Sequence, residues 1–268
     1  MLVFTKFKSL YSRFAGRQNI QDANKIETPP QRFIDLVGGG DFKAVGDEFL
    51  NHFIQLAQLS PDHRVLDIGC GTGRMAIPLT SFLSKKGSYE GFDIVREMVT
   101  WCQKNITPKF PKFRFKVADV FNSLYEKNGI NKGEKFHFPF HDKEFDFIFL
   151  TSVFTHMLPD EMENYLAEIS RTIRPGGKCL ITYFILNESS LKCILDQKST
   201  FQFKHQYQGC FIDQVDVPEA AVGYEEEKIK SLFAKYSFIL DSIHYGNWCG
   251  RKEYVSFQDI IILKKKDS

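Results

Sequence analysis

The chain has 268 residues, 43% of them hydrophobic, with 35 Lys and Arg against 33 Asp and Glu for a formal charge of +2. That length supports one large core, or one core with an appended lid. A near-neutral balance without a long basic block argues against a groove that tracks nucleic-acid phosphates. With 27 phenylalanines, a single aromatic on a strand carries little functional weight.

Residues 1–28 read as a leader. Lys6, Lys8, Arg13, Arg17 and Lys25 make it mildly basic, and Leu2-Val3-Phe4 is too short for a signal or a membrane span. Peripheral membrane or protein docking by residues 1–17 is the alternative to a simple flexible leader. Residues 29–268 read as one domain. Its preamble, residues 29–60, places Phe49, Phe53, Leu56 and Ala57 at helical spacing and is broken by Gly38-Gly39-Gly40-Asp41. The segment Gly38–Phe42 is either a plain inter-helix loop or a flap over a ligand mouth.

Val65-Leu66-Asp67-Ile68-Gly69-Cys70-Gly71-Thr72-Gly73 is the most informative run. It reads as a strand, Arg64 to Ile68, that stops at three glycines in five positions, where side-chain-free backbone can pass close to a ligand. A helix expected over Met75 to Ser84 follows, so this is a nucleotide-type cofactor loop on an α/β sheet. The helix-opening third glycine of a dinucleotide fingerprint is missing, which places an NAD-dependent dehydrogenase last among the alternatives. Ser88 to Asp93 forms the second strand and ends in an acid about 20 residues after the glycines, where a carboxylate can accept both ribose hydroxyls. Ile94 to Lys104 is the next helix. Arg114 to Ala118 is the third strand, again closed by an acid, Asp119. Taken singly, each acid could be a turn or N-cap residue. Asn122 to His137 is a polar insertion, and Lys135 to Phe140 is expected to add a strand-like flap. Phe145 to Ser152 is nearly all apolar, as a central parallel strand should be. Arg174-Pro175-Gly176-Gly177-Lys178 is expected to be a turn before a fifth strand, Cys179 to Phe184. Residues 186–223, rich in Gln, Phe and Tyr, are read as a substrate lid. Glu225 to Tyr236 is helical, and Ile239 to Tyr245 with Ser256 to Leu263 form an antiparallel closing pair.

The nonapeptide, the two strand-terminal acids and the R-P-G-G-K turn together resemble the class I S-adenosylmethionine-dependent methyltransferases. The likeness runs motif by motif over Arg64 to Ile185. It implies a Rossmann-like, doubly wound, mostly parallel seven-stranded sheet with an antiparallel last strand and helices on both faces. It also implies S-adenosylmethionine as cofactor and S-adenosylhomocysteine as product. Residue by residue, it assigns Gly69, Cys70, Gly71 and Gly73 to the methionyl part and ribose, and Asp67 to the methionyl ammonium. Asp93 falls to the ribose, Phe92 or Ile94 to packing on adenine, and Asp119 with the Val120 N–H to the adenine edge. Thr151, near the end of the fourth strand, and His156 beyond it also fall to the cofactor. Arg74 is either a partner of the methionyl carboxylate or an exposed first-turn residue.

In-line methyl transfer to a hydroxyl needs alignment and removal of a proton. His156, five residues past the fourth strand's Thr151, is the first candidate for that base; a supporting histidine is the alternative. Tyr183, His244, Tyr245 and Trp248 are candidates for an acceptor wall. The strand ends in L-T-S-V, with neither the N-P-P-Y box of amino-base methylases nor a Pro-Cys nucleophile. The expectation is therefore methyl transfer to a hydroxyl or amine of a small molecule. The alternatives are a protein or peptide methyltransferase recruited through the leader and a non-catalytic cofactor-binding scaffold. Six cysteines without a C-x-x-C pair read as free thiols in the cytoplasm, and no metal site or nucleic-acid partner is expected.

Overall fold

The structure, a computed structural model, describes residues 26–267. The leader therefore lies almost wholly outside the described residues. The chain opens with α1 (Gln31–Leu36) and α2 (Phe42–Gln55). It continues through β1 (Arg64–Ile68), α3 (Ala76–Phe82), β2 (Ser88–Asp93), α4 (Arg96–Asn105), β3 (Phe113–Val117) and β4 (Phe145–Leu150). Then come α5 (Pro159–Thr172), β5 (Ile173–Tyr183), β6 (Ile185–Leu186), α6 (Glu188–Leu195), β7 (His205–Tyr207), β8 (Cys210–Ile212) and β9 (Val222–Glu225). It closes with α7 (Glu226–Lys235), β10 (Phe238–His244) and β11 (Asp259–Lys265).

Seven strands form the main sheet in the order β10-β11-β5-β4-β1-β2-β3. β11 runs antiparallel to both β10 and β5, and the other neighbours are parallel. The chain builds outward from β1 to β3 and then crosses back to β4, so the crevice at the carboxyl ends of β1 and β4 is the topological switch point.

Each face of the sheet carries its own core. On one, α2 starts at Asp41, whose carboxylate accepts from the Lys43 and Ala44 N–H groups, and lays Phe49 and Phe53 on the strands. Phe53 is fully buried, with its ring 4.3 Å from Phe149 and 5.4 Å from Phe147; burying such a side chain stabilises by about 1.5–3 kcal/mol. On the other face, α5 has Pro159 in its first turn and buries Met162, Tyr165, Leu166 and Ile169.

Three local outcomes differ from expectation. The R-P-G-G run lies inside β5 as a bulge: Phe145 pairs with Ile173 and Phe147 with Lys178, so Asp146 alone faces Arg174 to Gly177. Gly176 at φ +71 permits the reversal, and the Arg174 guanidinium pairs with Asp146. Lys135 to Phe140 makes no strand. Its Phe138 and Phe140 turn into the core, because Glu168 on α5 accepts the Phe138 N–H at 2.7 Å and Arg171 donates to the Phe138 and Phe140 carbonyls. Finally, residues 185–225 build a second sheet, ordered β6-β9-β8-β7, over a small aromatic cluster of Phe184, Phe203 and Trp248.

A buried polar joint fastens that second sheet to the first. Asp259 is fully buried and accepts from the Ile185 N–H, the Gly246 N–H and Trp248 Nε1, each at 2.7 Å, and from Arg251 Nη1 at 3.0 Å. No helix among the described residues is long and apolar enough to cross a membrane. All six cysteines are free thiols.

Candidate active site

The glycine loop leaves β1 at the switch point. Gly69, Gly71 and Gly73 all hold positive φ, +79, +49 and +76. A Cβ at Gly69 would lie 2.4 Å from Val153 Cγ2, and one at Gly71 2.8 Å from Val37 Cγ1. The loop is thus clasped between the segment after β4 and the preamble. The Gly38–Phe42 segment joins α1 to α2 and at the same time lies against this loop. Arg74 fastens it: its guanidinium donates to the Gly39 carbonyl at 3.1 Å and the Ile34 carbonyl at 3.4 Å and sits over the Phe42 ring.

Asp67 lies beneath the loop, fully buried. Its Oδ2 accepts from the Tyr89 hydroxyl at 2.6 Å, and its Oδ1 has no partner. Burial pushes its carboxyl up to about 8; the Tyr89 hydrogen bond acts against that and the nearby Asp93 charge adds to it. At the end of β2, Asp93 accepts the Gly71 N–H at 2.8 Å and the Val95 N–H at 2.9 Å, so the second acid directly shapes the loop. Burial raises its carboxyl as well, opposed by those backbone donors. A carboxylate so held keeps lone pairs for two vicinal hydroxyls.

Beside it lies a cavity of about 210 Å³ lined by Ile94, Arg96, Val117, Ala118, Asp119, Glu126 and Asn128. Asp119 Oδ1 accepts the Ile130 N–H, and the Asp119 carbonyl accepts from Asn131, which folds the insertion back along this cavity. The Val120 N–H donates to the Ala118 carbonyl at 3.0 Å. Phe92 packs away from the cavity against Phe136 and Phe138, leaving Ile94 as its apolar wall.

The residues present fit an adenosyl sulfonium amino acid. An unpartnered buried carboxylate oxygen lies under a loop with no room for side chains. A second carboxylate ends the neighbouring strand and holds the loop at Gly71, and a small cavity with one apolar and one acidic wall lies beside it.

His156 ends a 3-10 turn, Phe154–His156, just past β4. Its Nδ1 lies 2.9 Å from the Glu219 carbonyl, so Nδ1 carries the proton and Nε2 keeps its lone pair. Burial lowers its basicity, with the Glu219 and Ala220 carbonyls opposing that effect. The Tyr125 ring meets the imidazole edge to face at 5.9 Å. Thr151 is half-buried in the same segment, followed by Ser152 at φ +59 with its N–H on Thr182 Oγ1.

The other acceptor-wall candidates do not gather around His156. Tyr183 is fully buried among Phe154, Tyr224 and Phe233, with its hydroxyl unpartnered. His244 Nε2 pairs with Ser242 Oγ, the Tyr245 hydroxyl donates to Glu226, and Trp248 belongs to the Asp259 joint. Three neighbours of the site were not singled out from sequence: Tyr89, Tyr125 and Glu219. Tyr89 was open to discovery, since it faces Asp67 across two strands whose register was legible; Tyr125 and Glu219 lie in insertions with no pattern to mark them.

The strand order and the site are similar to those of the class I S-adenosylmethionine-dependent methyltransferases. Residues 65–177 match the family model described as a methyltransferase domain. Among curated relatives, the chain is 27% identical over 134 residues to a ubiquinone/menaquinone biosynthesis C-methyltransferase of Wigglesworthia glossinidia brevipalpis, covering 50% of this chain and 48% of that one. It is 31% identical over 126 residues to a demethylmenaquinone methyltransferase of Lactiplantibacillus plantarum, covering 46% and 47%. The chain thus spans about half the length of these relatives. A solved methyltransferase from Methanosarcina mazei shares the fold at TM-score 0.54 and 22% identity, over 80% of this chain and 98% of that one. A Pyrococcus horikoshii protein does so at TM-score 0.59 and 16% identity, over 89% and 100%.

Proposed function

We propose that the protein transfers a methyl group from S-adenosylmethionine to a hydroxyl or amine of a small molecule by in-line displacement. The observation that carries this reading is the joined pair of loop and acid: Asp93 holds the Gly71 N–H, and three left-handed glycines let the loop pass where any side chain would collide with Val153, Val37 or Ile106. When bound, the cofactor supplies an electrophilic methyl on a sulfonium. Asp67 meets the ammonium of its amino-acid end, Asp93 the ribose, and Ile94 with Asp119 the adenine. His156, neutral near pH 7 because burial lowers its basicity, takes the acceptor's proton at Nε2. The two insertions keep bulk water from the reacting atoms.

A second acceptor is favoured by one finding. Several relatives are named as C-methyltransferases, including those of quinone and sterol biosynthesis. The ring carbon beside a phenol fits the same base, because removing the phenolic proton makes that carbon nucleophilic. Recruitment of a polypeptide through residues 1–28 would lie outside the described residues. Six unpaired thiols favour a reducing, cytoplasmic location.

The test is a metabolite-extract screen with isotopically labelled methyl donor, followed by mass identification of the product and repeated with His156→Gln. Label should enter a small molecule, with turnover falling about 10²–10⁴-fold in the variant and cofactor affinity held. Label appearing only in protein would overturn the acceptor assignment. A variant that turns over within threefold of wild type would remove His156 as the base.

A further inference from the structure

Glu219 touches three separate parts of the molecule. It sits in a 3-10 turn, Pro218–Ala220, at the end of the lid segment, and is 9% exposed. Its backbone carbonyl receives the proton-bearing Nδ1 of His156 at 2.9 Å. Its carboxylate faces the other way: Oε1 accepts from Asn122 Nδ2 at 3.3 Å, and the Ser123 N–H also donates to it. Asn122 in turn accepts the Leu124 and Tyr125 N–H groups on Oδ1, both at 3.0 Å, and this turn carries the Tyr125 ring to the edge of His156. The 122–137 insertion and the turn after β4 therefore meet the lid segment at one residue, the first at its side chain and the second at its carbonyl.

We propose that Glu219 is a positioning residue: by clasping the 122–137 insertion with its carboxylate, it holds its own carbonyl on His156 and fixes the imidazole in the form that leaves Nε2 free to accept a proton. The proposal rests on the reading of His156 as the base. A backbone carbonyl can select one tautomer only where the peptide is held still, because the imidazole otherwise turns or exchanges its proton between the two nitrogens. A turn of three residues has no such rigidity of its own. The carboxylate supplies it, through two donors on a segment that the Asp119 contacts tie back to β3. The same arrangement makes closure of both insertions a condition for a competent base. The groups facing the imidazole are Tyr125 from the insertion and the Glu219 and Ala220 carbonyls from the lid segment. Glu161 on α5 stands near enough to Glu219 for their charges to repel, and Asp93 stands behind Tyr125.

The experiment compares Glu219→Ala, Glu219→Gln and Asn122→Ala in the full chain. The readouts are ¹⁵N imidazole shifts of His156, assigned by loss of the signal in His156→Gln, together with steady-state kinetics and calorimetry of S-adenosylhomocysteine. Wild type should show His156 protonated at Nδ1. Glu219→Ala should shift it to a mixture with the Nε2-protonated form and lower kcat by about tenfold or more, with cofactor affinity held within about twofold. Glu219→Gln keeps an acceptor and should restore the wild-type tautomer. Asn122→Ala, on a surface turn, should move the tautomer partway in the same direction even if Glu219→Ala fails to fold. Wild-type tautomer in both Glu219→Ala and Asn122→Ala would overturn the proposal, as would a His156 protonated at Nε2 in the wild-type protein. If His156→Gln retains full turnover, the reading of His156 as base fails, while the tautomer measurement still decides whether the clasp exists.

Discussion

Replacing Asp259 with Ala tests the joint between the two sheets. The carboxylate is fully buried and meets four donors, one of them the guanidinium of Arg251, whose side chain is 8% exposed. Asp259→Ala leaves that cation in a dry site with the Gly246 carbonyl at 3.3 Å and Asn187 Oδ1 at 3.2 Å as its remaining acceptors. Removing one member of a buried ion pair costs about 3–5 kcal/mol. The three neutral donors add less than their individual values, because a truncated side chain leaves room for water to reach them. For a chain of this size the loss corresponds to a fall of roughly 5–9 °C in Tm. Urea denaturation followed by tryptophan fluorescence reads it directly, since Trp248 donates to the deleted carboxylate. The double variant Asp259→Ala with Arg251→Met should lose less than the sum of the single variants, because no charge is then stranded. A loss below about 1 kcal/mol for Asp259→Ala, or strict additivity in the double variant, would refute the reasoning.

Two further predictions concern the glycine loop. Burial raises the folded-state carboxyl of Asp67 from 3.8 to about 8, so its contribution to the stability of the cofactor-free protein is present below about pH 4 and is lost as pH rises through about 8. Thermal melts across that window should therefore show a steeper alkaline decline for wild type than for Asp67→Asn; parallel curves would contradict the assignment, and the comparison removes the similar influence of Glu161, also raised to about 7. Gly69→Ala places a Cβ 2.4 Å from Val153 Cγ2 at φ +79, with backbone strain of about 1–2 kcal/mol. Calorimetry should find cofactor affinity reduced about tenfold or more, partly restored by adding Val153→Ala; affinity within twofold of wild type would show the loop to be more yielding than its packing suggests.

The parallel core was legible because its signals are local. Asp67 lies just before the glycine run and Asp93 closes its strand, Phe145 to Leu150 is apolar but for Asp146, and the boundaries of β1 to β4 lay within two residues of their expected places, whereas β5 begins six residues early because the R-P-G-G run is a bulge within it. Residues 186–223 were set apart as one segment but not read as a sheet, since β6 to β9 are two to four residues long and alternate too briefly to read. Phe136 to Phe140 looked like an exposed flap because the sequence does not show Glu168 and Arg171 waiting on α5 to hold its backbone. His156 was singled out by its distance past a strand. Its partner Glu219 lies 63 residues away, joined by tertiary packing that no spacing announces. His244 and Tyr245 were placed at a strand end correctly, yet their side chains turn to Ser242 and Glu226.

Titration calorimetry with S-adenosylhomocysteine bears most directly on the whole account. Wild type should bind one equivalent with a micromolar Kd, a free energy of about 8 kcal/mol, and Asp93→Ala, which removes the proposed ribose acceptor and frees the Gly71 N–H, should weaken it beyond about tenfold. No heat with the folded wild-type protein, or undiminished binding to the variant, would contradict it.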